Sequence, residues 1–193
     1  MYKLLLHICC APDATVAIER LRERFDVLGF FYNPNIEPNK EYALRESEVQ
    51  RLSGLQKFNH VEEKPRHDEW FDICSQFASE PERGERCRRC ISHRLKITAL
   101  RTAELGITHF ATTLTTSPHK DVDFIHETGS TLARENGLIY LPETFRARDG
   151  FRRSLELCKE YNLYRQNYCG CRWSRKTEDT FAHETPEIIT TPA

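Results

Sequence analysis

Six of the chain's eight cysteines fall in three close pairs, Cys9-Cys10, Cys87-x-x-Cys90 and Cys169-Gly-Cys171. Adjacent cysteines bridge each other poorly because their Cβ vectors diverge, and a one-residue gap is awkward for a relaxed disulfide. Both spacings suit chelation, so the pairs are expected to converge on one metal site. Nothing before Cys9 reads as a secretory leader, and no apolar stretch is long enough for a bilayer. The chain is therefore expected in the cytoplasm, without membrane contact. Thiols stay reduced there, and grouped cysteines act as metal ligands or redox groups more often than as staples. The competing reading confines a redox disulfide to Cys87 and Cys90.

Counting ligands sharpens the expectation. A cubane [4Fe-4S] cluster needs one thiolate per iron, which leaves two of the six paired cysteines over. Joined by Asp13, these make a mixed thiolate and carboxylate site for one further metal, with a position open to substrate or water. The expected division gives Cys9, Cys10, Cys87 and Cys90 to the cluster and Asp13, Cys169 and Cys171 to the second ion. A structural tetrathiolate zinc would use four of the same cysteines, and Asp13 beside Pro12 is also a natural helix N-cap. Cys74 and Cys158 stand alone in helical patterns and read as packing residues. Cys9-Cys10 and Cys87-Cys90 both sit where helices are expected to start, so the positive helix end should lower their thiol pKa values.

The elements that must position these groups alternate. Lys3 to Ile8 is apolar, Ala14 to Phe25 has helical spacing, and Val27 to Tyr32 is apolar again. The loop Asn33-Pro34-Asn35-Ile36-Glu37-Pro38-Asn39 is rich in turn residues. Helical stretches are expected at Glu41 to Phe58, Asp68 to Phe77, Cys87 to Leu105, Val122 to Asn136 and Gly150 to Tyr161, with Gly106 and Gly137 as stops. Strands are expected at His60 to Glu62, Thr108 to Thr113 and Leu138 to Leu141. This order predicts an α/β fold, a Rossmann-like parallel sheet with helices on both faces and a C-terminal helical extension. Sites in such sheets lie beyond the carboxyl ends of the strands. Cys9 and Cys10 follow the first strand and Thr113 to Lys120 the fourth, so both should face one crevice. At 193 residues the chain suits a single domain, placed at 1–176, with a non-periodic tail at 177–193.

Charge is uneven. Overall it is −1, but Phe145 to Lys176 holds nine Lys/Arg against three Asp/Glu, a net +6, which leaves −7 elsewhere. A local basic surface suits phosphate, including an RNA backbone. Tyr161, Tyr164, Arg165 and Tyr168 lie in it, and aromatic and guanidinium planes can stack on an exposed base. Thr115 to Lys120 offers hydroxyls and a lysine for ribose or phosphate. Among eight histidines, His7, His119 and His126 are placed to approach the crevice. Gly-x-Gly-x-x-Gly and Walker loops are absent, which disfavours nicotinamide and ATP sites of those kinds. Three other classes fit the same residues: a zinc-stabilised RNA-binding module, a thiol-disulfide oxidoreductase, and an ATP-dependent tRNA-thiolating enzyme that here lacks its loop.

Several motifs in one order are similar to those of a known family. They are Leu4 to Asp13, Gly29 to Ile36, Glu85 to Cys90, Thr112 to Lys120, Gly150 to Ser154 and Leu163 to Cys171. Here the chain closely resembles the epoxyqueuosine reductase family called QueH, formerly a domain of unknown function. The resemblance implies an adenine-nucleotide hydrolase-like Rossmann variant whose phosphate loop is replaced by cysteines. It implies an oxidoreductase that removes the epoxide oxygen of epoxyqueuosine at the tRNA wobble position, the last step of queuosine synthesis. The implied cofactors are a [4Fe-4S] cluster and a mononuclear iron, with zinc in its place after aerobic handling. The implied partners are tRNA carrying epoxyqueuosine and an electron donor such as ferredoxin or flavodoxin. The family commonly carries cysteine where this chain has Asp13, and His119, Lys120 and Tyr168 are candidate proton donors.

Overall fold

The computed structural model describes residues 1–175; the expected tail lies outside the described residues. The elements run β1 (Tyr2–Ile8), α1 (Ala11–Leu21), β2 (Phe25–Phe31), α2 (Asn39–Gln56), β3 (Asn59–Glu62), α3 (His67–Ser75) and α4 (Glu85–Glu104). They continue with β4 (His109–Thr112), a 3-10 turn (Thr113–Thr116), α5 (Val122–Glu135), β5 (Ile139–Tyr140), α6 (Gly150–Glu160) and a second 3-10 turn (Arg172–Ser174). The five strands pair in parallel in the order β3-β2-β1-β4-β5. Strand order therefore reverses between β1 and β4, and the carboxyl ends of that pair open the crevice.

Alternation along β1 explains why helices cover both faces. Leu4, Leu6 and Ile8 pack with Val16, Ile18 and Leu21 of α1, Val49 and Leu52 of α2, and Cys158 of α6. Leu5 points the other way, with Phe30, Phe110 and Tyr140, against Ile97 and Ala99 of α4 and Ala133 of α5. The helical extension is α6, which lies on α1 and is tied to it by the Arg153 to Glu19 ion pair at 2.7 Å. Gly106 and Gly137 do end α4 and α5, each with φ of +66°, the left-handed backbone in which a side chain would be strained.

Two local differences from expectation matter for the site. α1 begins at Ala11, not Ala14, because Pro12 is tolerated in a first turn where its missing N–H costs nothing. Asp13 therefore lies inside that turn, and the N-cap residue is Cys10, whose side chain makes no capping bond. α4 begins at Glu85, which puts Cys87 and Cys90 three apart on one face of its first turns. No helix among the described residues is long and apolar enough to cross a membrane.

Candidate metal centre

Two neighbouring cavities collect the paired cysteines, and Cys169 borders both. Cys9 and Cys10 follow β1 and, with Asp13, form a trio whose ligand atoms all lie within 4.8 Å of one another. Cys9 Sγ stands 3.9 Å from Cys10 Sγ and 3.3 Å from Asp13 Oδ2. Thiolates bound tetrahedrally at about 2.3 Å from one ion stand about 3.8 Å apart, so this trio already has the spacing of a chelate. Cys87 and Cys90 from α4 instead share a small cavity with Cys169 and Cys171, walled by Trp70, Ile91 and Asn35. Cys169 also lines the larger cleft with Cys9, Cys10 and Asp13, so it is common to both cavities, while Cys171 lies only in the small one. Sequence order could not show this, because the turn after α6 crosses the mouth of the sheet before it reaches α4.

Hydrogen bonds hold each group in place. Thr113 Oγ1 accepts from Cys9 N at 3.0 Å and lies 3.2 Å from Cys9 Sγ, while Thr116 Oγ1 donates to Asp13 O at 2.9 Å. The turn after β4 therefore braces the first turn of α1. Buried Arg45 donates to Cys169 O at 3.1 Å and Tyr168 O at 3.2 Å, and pairs with Glu41 at 2.7 Å. Glu37 N donates to Gly170 O at 2.9 Å, and Gly170 has φ of +117°, a conformation that a side chain would resist. A Cβ there would also stand 3.0 Å from Ile36 Cγ1 and 3.2 Å from Arg45 Nη1.

Neighbouring thiols and burial govern the cysteines more than the helix ends do. The neighbouring Cys10 thiol and then burial raise the Cys9 pKa well above that of an ordinary thiol. Burial likewise raises Cys87. The expected lowering is thus reversed at both, because the Cys10 thiol with burial at Cys9, and burial at Cys87, outweigh a partial charge at a helix terminus. Cys90 goes the other way, to about 6, through the Cys74 thiol against burial, with Arg94 and Trp70 adding to the effect. Cys74 is buried with Cys90, Cys171 and Trp70 and lines neither cavity, as a packing residue should. Burial raises Asp13 as well, against the Cys9 thiol and Lys120. Metal ligands must lose these protons, so metal uptake at the trio should be favoured by rising pH.

Lys120 joins the two cavities. Its Nζ lies 3.2 Å from Cys169 Sγ and 3.3 Å from Glu82 Oε1. Burial works against its charge, yet Cys169 and Glu82 beside it outweigh burial and hold its pKa above the ordinary lysine range. His119 is exposed at the rim, while Tyr168 lines the larger cleft but donates its hydroxyl to Glu37 O. His7 is a core residue, bonded to Thr112 Oγ1 at 2.8 Å and Tyr32 O at 3.2 Å, and burial then Arg94 hold it neutral. His126 is taken up by Tyr140 and Thr144.

The larger cleft, about 360 Å³, is lined by Cys9, Asp13, Lys120, Phe151, Arg165 and Tyr168, among others. Arg165 lies over the Phe151 ring at 5.7 Å and Arg45 over Tyr168 at 5.1 Å. The tyrosines thus split: Tyr164 bonds Glu41 and Tyr161 packs on the core, leaving Tyr168 alone of the three in the cleft wall. Asn35 and Arg94 border both cavities, and of the two only Asn35 lies in a motif of the family resemblance, Gly29 to Ile36. Asn35 lies in what reads as a plain turn, and Arg94 on what reads as a helix face.

A family model described as epoxyqueuosine reductase QueH matches residues 4–177. The chain belongs to the QueH family. Its relatives include the epoxyqueuosine reductase QueH of Streptococcus pyogenes serotype M1, 37% identical over 91% of this chain and 71% of that protein. The QueH of Thermotoga maritima is 35% identical over 90% of this chain and 91% of that one. QueH proteins are oxidoreductases by name, which places the chain among enzymes. Among solved structures, a predicted tRNA methyltransferase subunit from Methanocaldococcus jannaschii matches with a TM-score of 0.57 at 13% identity, over 79% of this chain and 73% of that one. The U34-tRNA thiolase NcsA of Methanococcus maripaludis, with its [4Fe-4S] cluster, matches with a TM-score of 0.51 at 12% identity, over 86% of this chain and 58% of that one. These structures share the fold.

One outer contact of the centre yields a pH prediction. Arg172, beside Cys171, forms a two-pronged ion pair with Glu37, and His67 Nε2 lies 2.6 Å from the same carboxylate. Arg172 is the chief cause that Glu37 sits below the usual glutamate range, with burial opposing it. A depressed carboxyl contributes stability above its unfolded pKa of about 4.3 and loses it as pH falls through the folded value. Glu37→Gln should therefore flatten the stability curve of the metal-free protein on the acid side, as urea melts from about pH 3 to 6 would show. An unchanged curve would mean the pair is solvent-screened.

Proposed function

We propose that this chain reduces epoxyqueuosine in tRNA to queuosine by a two-electron removal of the epoxide oxygen, the closing step of queuosine synthesis. The observation that carries this reading is the pair of adjacent cysteine sets with different donor chemistry, opening on one cleft. The all-thiolate set suits an iron-sulfur cluster, and the trio with a carboxylate suits a harder single iron. When bound, the cluster would be held by Cys87, Cys90, Cys169 and Cys171 and supply electrons, while an iron on Cys9, Cys10 and Asp13 would act as a Lewis acid toward the epoxide oxygen.

The chain's own residues do the rest. The cleft falls within the roughly 300–1,000 Å³ of small-molecule sites, and a nucleotide turned out of its stack fits that scale. Phe151 with Arg165 forms the planar face on which the base stacks, and the charge of Arg165 serves the adjoining phosphate. Lys120 holds a proton at Nζ beside both cavities and delivers it to the departing oxygen. The epoxide takes two electrons and two protons in all, its carbons become the alkene and its oxygen leaves as water. Tyr168, whose hydroxyl proton is committed to Glu37 O, shapes the wall, and His119 relays protons only at the rim.

Metal and sulfide analysis of anaerobically purified protein tests this reading. About five irons and about four sulfides per chain, with conversion of epoxyqueuosine tRNA on addition of reduced ferredoxin or flavodoxin, is the expected result. One zinc with no sulfide, unchanged by anaerobic reconstitution and without turnover, would overturn it.

A further inference from the structure

Asn35 is wholly buried, and its Nδ2 and Oδ1 both lack a hydrogen-bond partner among the described residues. Buried carboxamides are costly to leave unpaired, so such a group points to something that completes it. Its neighbour Asn33 shows the contrast: Asn33 Nδ2 donates to Ile8 O at 2.9 Å and its Oδ1 accepts from Arg94. Asn35 does not fold back on its own turn, as a loop asparagine usually does. The loop holds it rigidly, through Ile36 N to Asn33 O at 3.1 Å and Glu37 N to Gly170 O at 2.9 Å. It borders both cavities, and a Cβ at Gly170 would stand 3.2 Å from its Nδ2. The amide nitrogen is thus beside the Cys169-Gly170-Cys171 turn.

We propose that Asn35 is a positioning residue for electron transfer, whose Nδ2–H donates to a thiolate or sulfide sulfur of the cluster bound by that turn. Sulfur anions offer only acceptors, which fixes the end of the amide that faces them. The reduced cluster carries one more negative charge than the oxidised one, so a donor aimed at its sulfur favours reduction and raises the potential. No other asparagine lines the four-cysteine cavity. The inference rests on the cluster reading above and names the residue that tunes it.

The test is a redox titration, followed by EPR, of the anaerobically reconstituted full chain as wild type, Asn35→Leu and Asn35→Asp. Leucine keeps the volume and removes the donor, and aspartate keeps the shape but brings a negative charge. In both, the reduction equilibrium should weaken about tenfold or more, which is about 59 mV toward lower potential for one electron. Iron and sulfide content and the melting temperature should stay near wild type. Titration at the wild-type potential in both loaded variants would overturn the inference. If neither variant loads a cluster, pulsed EPR on wild type labelled with 15N at the asparagine amides decides: a nitrogen coupling to the reduced cluster supports the contact, and its absence overturns it. A wild-type chain that binds no cluster would sink the functional reading and this inference together, whereas a cluster indifferent to Asn35 sinks this inference alone.

Discussion

Cys169→Ala should lose the cluster absorbance and turnover together, whereas Cys9→Ala should keep about four sulfides per chain and lose about one iron. The contrast follows from which sulfur atoms share a cavity. Cys169 lines the small cavity with Cys87, Cys90 and Cys171 as well as bordering the larger cleft, while Cys9 lies 3.3 Å from Asp13 and borders only the larger cleft. Removing one of four cluster thiolates leaves an iron without a protein ligand, and Cys87→Ala should behave like Cys169→Ala. Asp13→Ala should follow Cys9→Ala, with the cluster retained and most activity gone. Iron and sulfide assays on the purified variants, with visible spectra, separate the two outcomes. The opposite pattern, a cluster lost in Cys9→Ala and kept in Cys169→Ala, would restore the division expected from order along the chain.

Turnover should fall by about 10²–10⁴ in Lys120→Met if Lys120 provides the proton. The cation also offsets the Cys169 thiolate, so a second variant must separate charge from proton delivery. Lys120→Arg keeps the charge, but a planar guanidinium cannot place its N–H where the compact ammonium stands. Lys120→Arg should therefore load metal like wild type and still be slow. Recovery of turnover in that variant, measured under single-turnover conditions with reduced protein, would show that Lys120 acts by charge alone.

Much of the fold was legible because both periodicities are clean. The alternation at Leu4, Leu5 and Leu6 and the spacing of Ala14, Ala17, Ile18 and Leu21 each name a buried face without help from distant residues. Element ends were less legible, since Pro12 and Glu85 extend helices by first-turn chemistry that apolar spacing does not register. The thermodynamics of the thiols was read in the wrong direction at Cys9 and Cys87. A helix end is visible in a sequence, but the thiol contact at Cys9 and the desolvation at Cys87 that override it depend on what is packed around each sulfur.

By itself the sequence determined the donor types, the parallel α/β order and the family resemblance, because these depend on residue identity and local spacing. Only the tertiary structure decided which cysteines meet. Cys169 and Cys171 lie closer in sequence to α6 than to any other cysteine pair, yet the chain after α6 is pinned by Arg45 and Glu37 across the mouth of the sheet and brought against the start of α4. That pinning also sets Asn35 between the cavities and Lys120 beside Cys169. Long-range contacts of this kind come from buried polar groups that must find partners wherever the fold supplies them, and no local spacing records where that will be.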